Sequence, residues 1–429
     1  MYFRSTRSSE KTVSFKDAVL RCMPLDSGLY VPTSVLDLRQ FSLYMEADTS
    51  YQDLVATIAP LLLQGELNPF SASRITENTF YFTPELQTLN DHCSLLSLYN
   101  GPTGTFKDFG LNFLAAVMEE LLKHNGQATV VSAVRGRTGA SVAYAFHQRH
   151  NIRSVLLYPD ECIYGLDANM LNPNDGSLIP IQVQGNFNDC QRLVQELLMD
   201  RVFTERYSIT TANSINVGRL LPQIFYYLYA FVLLKKTLHD ALMFSVPSGN
   251  FGNLIAGLYA WKFGMPVHGF IAAMNRNNPF EHVRIDAAPP APISTNSPAL
   301  DITFASNGER LASFYEEFPA VMRNMVFPVA IEDKETTKAL AELWDNYGIV
   351  ADPQTAVAFA AAQNFKQMDV HVVILATGHP ALEAEIVSQA INHTVEIPQR
   401  LSMLSSISSP IATIKPDVEA LEGVLSRCF

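Results

Sequence analysis

Residues 128–159 read ATVVSAVRGRTGASVAYAFHQRHNIRSVLLYP, and this stretch decides the fold. It opens on an unbroken apolar run rich in branched residues (128–134). It then passes through RGRT into a segment of helical spacing, GASVAYAFHQRH (139–150), and returns to a second apolar run (152–159). A strand with one face in water alternates apolar with polar, whereas an unbroken apolar strand is covered on both faces. The rhythm recurs outward along the chain in LIPIQVQG (178–185), ALMFSVPS (241–248), HGFIAAMN (268–275) and VHVVILAT (370–377), with helical segments such as CQRLVQELLMDRVF (190–203) between them. The pattern predicts an α/β fold with parallel sheets in more than one layered unit. Residues 1 to about 95 read as helix-rich, with Val13, Phe15, Ala18, Val19 and Met23 on one apolar face, and the proline-rich stretch 286–299 reads as a surface loop.

Bulk properties narrow the function. The chain has 429 residues, 48% hydrophobic and 17% charged, with a net charge of -12, enough for a large core and against nucleic-acid binding. Five widely separated cysteines (Cys22, Cys93, Cys162, Cys190, Cys428) lack zinc-site spacing and read as free thiols in a reducing compartment. The amino terminus shows no apolar signal region, so secretion is not expected. The apolar run 220–234 contains Pro222 and Gln223 and falls short of the roughly 20 residues of a membrane span. A buried helix is expected there, in a soluble cytoplasmic protein with no membrane partner.

In parallel α/β sheets, ligands sit where strand carboxyl ends run into helix N-termini. Four loops carry polar chemistry at such places. In VPSGNFGN (246–253), Gly249 and Gly252 permit close backbone approach, while Ser248, Asn250 and Asn253 offer side-chain hydrogen bonds at a helix start. That combination suits an anion such as phosphate, and is also what an ordinary capped turn looks like. In GPTGTFKDFG (101–110), Lys107 lies between Phe106 and Phe109. Desolvation there would make its amine a nucleophile towards an aldehyde, yet the adjacent Asp108 is equally compatible with a surface ion pair. Asn213, Asn216 and Arg219 recur every three residues beside Ser214, so on a helical turn they would share a face suited to phosphate or carboxylate; a capped helix start with a solvated arginine fits the spacing as well. In ATGHPAL (376–382), Thr377 ends a strand before a His379–Pro380 turn.

Together these segments are far more specific than any one alone. GPTGTFKDFG, PSGNFGN, NSINVGRLL and ATGHPA resemble, in order and spacing, the cofactor-lysine, cofactor-phosphate, substrate-phosphate and ring-nitrogen segments of threonine synthases. VSFKDAV near the start and GNFNDC before the middle agree as well. The resemblance implies a long-type threonine synthase of fold type II, with a tryptophan-synthase-like core of two open α/β domains and an extra, mainly helical N-terminal domain. The divisions expected are 1–95, 96–212 with the smaller α/β unit, and 213–429 with the larger. It implies pyridoxal 5'-phosphate as cofactor, with its aldehyde on Lys107, its phosphate held by Gly249, Asn250, Phe251, Gly252 and Asn253, and its ring nitrogen met by Thr377. Asn213, Ser214, Asn216 and Arg219 would hold the phosphate of O-phosphohomoserine, which the family converts with water to threonine and phosphate. A monomer or homodimer is expected.

One loop departs from the family pattern. Threonine synthases carry Ser-Gly-Asp-Thr-Gly where this chain has Arg135, Gly136, Arg137, Thr138 and Gly139, and Pro-Ala-Lys-Phe where it has PALE (380–383). Arg135, Arg137 and Thr138 are expected to face the substrate. The exchange is compatible with a retained reaction, in which an arginine grips the substrate carboxylate. It is compatible too with a substrate bearing a second anionic group, or with a cofactor-binding relative that has lost turnover.

Overall fold

The computed structural model describes residues 1–8, 10–124, 126–159, 177–283, 290–402 and 410–428. Cys162 and the first part of the proline-rich stretch lie outside them. Strands are numbered β1 (Tyr2–Ser5), β2 (Thr12–Ser14), β3 (Tyr30–Pro32), β4 (Glu85–Asn90), β5 (Cys93–Ser97), β6 (Ala128–Ala133), β7 (Ile152–Pro159), β8 (Leu178–Val183), β9 (Ile209–Thr210), β10 (Ala241–Pro247), β11 (Gly269–Asn275), β12 (Val326–Ile331), β13 (Val370–Ala376) and β14 (Ala412–Ile414).

Two open parallel sheets carry the fold. The larger runs β12-β11-β10-β13-β5-β4, the smaller β14-β8-β7-β6-β9. Every pairing in them is parallel except the β4–β5 hairpin. All residues of β6, β11 and β13 are buried, which is why their sequences are unbroken apolar runs. Of the edge strands, β12 alternates half-buried with exposed residues along its middle, and β4 has no buried residue. Pro328 in β12 is tolerated because a strand edge does not need its missing N–H.

The sheets do not divide at residues 95/96 and 212/213. The β4–β5 hairpin pairs through β5 with β13 of the larger sheet, and the late strand β14 joins the smaller one. The N-terminal region holds helices Phe15–Arg21, Arg39–Tyr44, Tyr51–Leu62 and Pro69–Thr79, but also a three-stranded antiparallel sheet ordered β2-β1-β3. Ser14 ends β2 and caps the first helix by accepting from the Asp17 N–H. Val13 therefore sits in a strand, and the helix buries Phe15, Ala18 and Val19. The apolar segment 220–234 is a 3₁₀ turn followed by the helix Ile224–Leu234, and 89% of Val217–Leu234 is buried inside the protein.

Strand order places the chemistry. β10, β13 and β5 are neighbours and parallel, so the loops after them leave the larger sheet side by side. β6 and β9 are likewise adjacent, so RGRTG and the segment 211–216 leave the smaller sheet together.

Candidate active site

These loops enclose one cavity of about 1160 Å³. Lys107, Arg135, Arg137, Thr138, Asn213, Ser214, Arg219, Gly249, Asn250, Phe251, Gly252, Asn253 and Thr377 all line it, and Asn216 does not.

Lys107 is the first residue of the helix Lys107–Leu121. Burial, followed by the charge of Arg219, pushes its ammonium down to about 8. Its Nζ lies 5.2 Å from the centre of the Phe106 ring. Asp108 is no surface partner: it is 1% exposed and accepts from the Thr103 N–H at 2.8 Å and the Thr103 hydroxyl at 2.5 Å. A Cβ at Gly101 would fall 2.5 Å from its carboxylate. Thus Gly101, Thr103 and Asp108 form one device, a turn folded onto a carboxylate that presents Lys107 at a helix start.

The loop after β10 makes a cradle. Phe251 stands in the left-handed region at φ 57° and opens the helix Gly252–Lys262. A Cβ at Gly249 would meet Ile302 at 3.0 Å, and one at Gly252 would meet Leu220 at 3.1 Å. The Asn250 Oδ1 accepts from the Ser306 N–H and hydroxyl, both at 3.0 Å, and Asn307 donates to the Asn250 carbonyl and to Ser214 Oγ, both at 3.1 Å. Behind them Arg310, wholly buried, donates to Asn307, Ser214, Ile215 and Tyr30. Asn253 Oδ1 accepts from the Tyr226 and Tyr227 hydroxyls at 2.7 and 2.8 Å, which leaves its buried Nδ2 without a partner among the described residues. Ser248 is turned away, donating to the Val246 carbonyl.

Of the two arrangements its spacing allows, the segment 213–219 takes the capped helix start, though with a buried arginine. The helix is only Val217–Leu220, and Asn216 caps it. Asn216 is buried, donating to the Val19 and Thr211 carbonyls and accepting from the Gly218 N–H. Its amide is thus bonded within the fold, away from the cavity lining. Asn213 grips the end of β6, accepting from the Ala133 N–H and donating to the Ala133 carbonyl. Arg219 is buried, not solvated. It donates Nη1–H to the Ala212 carbonyl at 2.7 Å, and its Nε has no partner among the described residues. Burial pushes its guanidinium down to about 10.

Arg137 is the first residue of the helix Arg137–Phe146, after Gly136 at φ 50°. Its Nη2–H goes to the Leu382 carbonyl across the cavity, and Glu383 faces its charge. Arg135 faces Asp301, a carboxyl that burial pushes up and that Thr295, Asn275 and Arg135 hold down. His379 caps its own turn, its Nδ1 accepting from the Ala381 N–H.

Two carboxyls facing Lys107 escape sequence reasoning. Burial, then the charge of Glu383, pushes Asp352 up to about 7; burial pushes Glu383 up to about 6. Asp352 belongs to no segment with a loop signature, and Glu383 ends the PALE turn, whose departure from the family pattern assigns the glutamate no role. Asp352 reads as a plain N-cap before Pro353, and Glu383 stands at the end of a turn.

These residues fit pyridoxal phosphate. The desolvated amine, a glycine cradle at a helix N-terminus, and unpartnered donors at Asn253 and Arg219 are what an aldehyde and two anionic groups require. Residues 90–378 match the family of pyridoxal-phosphate-dependent enzymes, residues 2–80 the threonine synthase N terminus, and residues 355–425 the threonine synthase C-terminal family. A threonine synthase of Buchnera aphidicola subsp. Baizongia pistaciae is 31% identical over 99% of both chains, and that of Escherichia coli 30% identical over 99% of both. The crystal structure of the Escherichia coli enzyme superposes with a TM-score of 0.89 at 28% identity, covering all of both chains. A pyridoxal-phosphate-bound threonine synthase from Brucella melitensis gives 0.86 at 26% identity, covering 100% of this chain and 99% of that one. Fold and site thus define a pyridoxal-phosphate-dependent enzyme of fold type II. Within that class, the chain belongs to the threonine synthase family.

Proposed function

We propose that the protein converts O-phosphohomoserine and water to threonine and inorganic phosphate. When bound, pyridoxal phosphate supplies the electron sink that stabilises negative charge at the substrate α-carbon. The loop Gly249, Asn250, Phe251, Gly252 and Asn253 holds its phosphate, with backbone N–H groups at the start of the Gly252–Lys262 helix and the unpartnered Asn253 Nδ2 as donors. The Thr377 hydroxyl, buried at the end of β13, meets the ring nitrogen. Lys107 would hold the cofactor aldehyde, and its amine moves protons at the substrate α- and β-carbons. An amine titrating near 8 is suited to both halves of that task, since both of its protonation states are accessible near neutral pH. Arg219, with Ser214 beside it, holds the phosphate that leaves from the γ-carbon. Thr138, at the start of the Arg137–Phe146 helix, contributes to holding the substrate carboxylate.

The departure at RGRTG does not argue for a second anionic group on the substrate. Arg137 gives its Nη2–H to the Leu382 carbonyl with the charge of Glu383 nearby, and the charge of Arg135 acts on Asp301. The observation that carries the reading is the convergence of a desolvated lysine with two unpartnered buried donors in one cavity. The free thiols of Cys22, Cys93, Cys190 and Cys428 support a cytoplasmic setting. The reading is tested by borohydride reduction of the cofactor-loaded protein. A pyridoxyl group is expected on the peptide containing Lys107 and is lost in Lys107→Ala; a label on another lysine overturns the assignment.

A further inference from the structure

Glu383 closes the 3₁₀ turn Pro380–Glu383 beyond β13. The chain leaving β13 lies against the chain that leads into Lys107. The Phe106 N–H donates to the Thr377 carbonyl, the His379 N–H donates to the Gly104 carbonyl, and Thr105 bridges to Gly378. Lys107 and Glu383 thus follow two paired segments, and both line the cavity. From the opposite wall Arg137 reaches the Leu382 carbonyl, which sets its guanidinium against the residue preceding Glu383.

We propose that Glu383 is a positioning residue for Lys107: its carboxylate, on the turn that Arg137 anchors through the Leu382 carbonyl, favours the protonated lysine amine and so governs the pH range in which that amine accepts a proton. The inference rests on the proton-transfer role given to Lys107 above. Burial raises Glu383, while Arg137 and then Lys107 draw it back down. Burial and Arg219 lower Lys107, and among the groups opposing them Glu383 comes first, ahead of Asp108 and Asp352. The other charged neighbours are accounted for. Asp352 faces both Glu383 and Lys107 from the N-cap of the helix Pro353–Ala362. Asp108 is committed to Thr103. His379, driven down to about 4 by burial and then by the charges of Arg400 and Arg137, stays neutral near pH 7. Glu383 is thus the carboxylate whose charge is both opposite Lys107 and tied to a cation of its own.

The test uses the cofactor-loaded enzyme and Glu383→Gln, which keeps the shape and removes the charge. Two quantities are followed against pH: the absorption of the bound pyridoxal phosphate, and kcat/KM for phosphate release. Without the anion the lysine nitrogen loses its proton more readily, so both midpoints move to lower pH, by about one unit. Glu383→Asp returns them towards wild type. Arg137→Gln moves them in the same direction, because an unpaired buried carboxyl takes up a proton and ceases to support the lysine cation. Midpoints unmoved in Glu383→Gln, even with reduced turnover, overturn the proposal and leave Glu383 a packing residue. If Glu383→Gln does not fold, Arg137→Gln alone decides by the same criterion. A wild-type protein with no cofactor absorption contradicts the functional reading itself, a result distinct from an unmoved midpoint.

Discussion

Asp352 shows how the site costs the protein stability. Its carboxyl is 1% exposed and is pushed up to about 7 by burial and by Glu383, against an ordinary value near 3.9 when unfolded. A folded-state value above the unfolded one means that the folded protein binds the extra proton. The carboxyl's contribution to stability is therefore least unfavourable below about pH 4, worsens as pH rises, and reaches its full penalty above pH 7, on the order of 4 kcal/mol. Asn mimics the protonated acid and is an equally good N-cap. Asp352→Asn is thus expected to melt above wild type at pH 8, with the advantage gone by pH 4; equal melting temperatures at pH 8 would show that the carboxylate is not penalised. Asn216 is the opposite case, a residue whose importance is structural. Asn216→Ala removes a helix cap and the donor to two buried carbonyls, and is expected to cost about 2–3 kcal/mol in denaturant unfolding. Its KM should stay near wild type, whereas Arg219→Ala should raise KM for O-phosphohomoserine.

At the scale of elements, legibility follows burial. β6, β7, β8, β10, β11 and β13 were readable because strands covered on both faces leave unbroken apolar runs. β4 and β12 were not, because β4 has no buried residue and β12 alternates along its middle and contains Pro328. β9 and β14, of two and three residues, leave no periodic signal at all. The cofactor loops were legible for a related reason: each is contiguous, and glycine, asparagine and lysine there answer local needs such as the close approach of Gly101 to Asp108. Asp352, Asp301 and Arg310 were invisible as site residues because their roles arise from burial and from partners distant in the chain, and Glu383 showed only as part of the unusual PALE turn. The spacing of Asn213, Asn216 and Arg219 left two arrangements open for the same reason. A period of three describes a helix only where there is one, and the helix begins at Val217.

At the scale of the whole molecule, two sheets face one cavity, and Arg137 joins them. Its helix follows β6 of the smaller sheet, and its partners, the Leu382 carbonyl and Glu383, follow β13 of the larger. Restoring the family's aspartate by Arg137→Asp would set a third carboxyl beside Glu383 and Asp352. We expect Arg137→Asp to lower both melting temperature and turnover, and Arg137→Asp with Glu383→Gln to recover part of each. The coupling between the two positions should be about 1–3 kcal/mol in a double-mutant cycle. Additive effects would mean that the two side chains do not act on each other.

The central claim is that an unfamiliar pair of arginines sits in a site that still performs its family's reaction. The direct measurement is to supply O-phosphohomoserine to the cofactor-loaded protein and quantify inorganic phosphate and threonine together. Equal amounts of both, abolished in Lys107→Ala, are predicted. Phosphate without threonine, or neither product from a protein with pyridoxal phosphate bound at Lys107, would contradict the account.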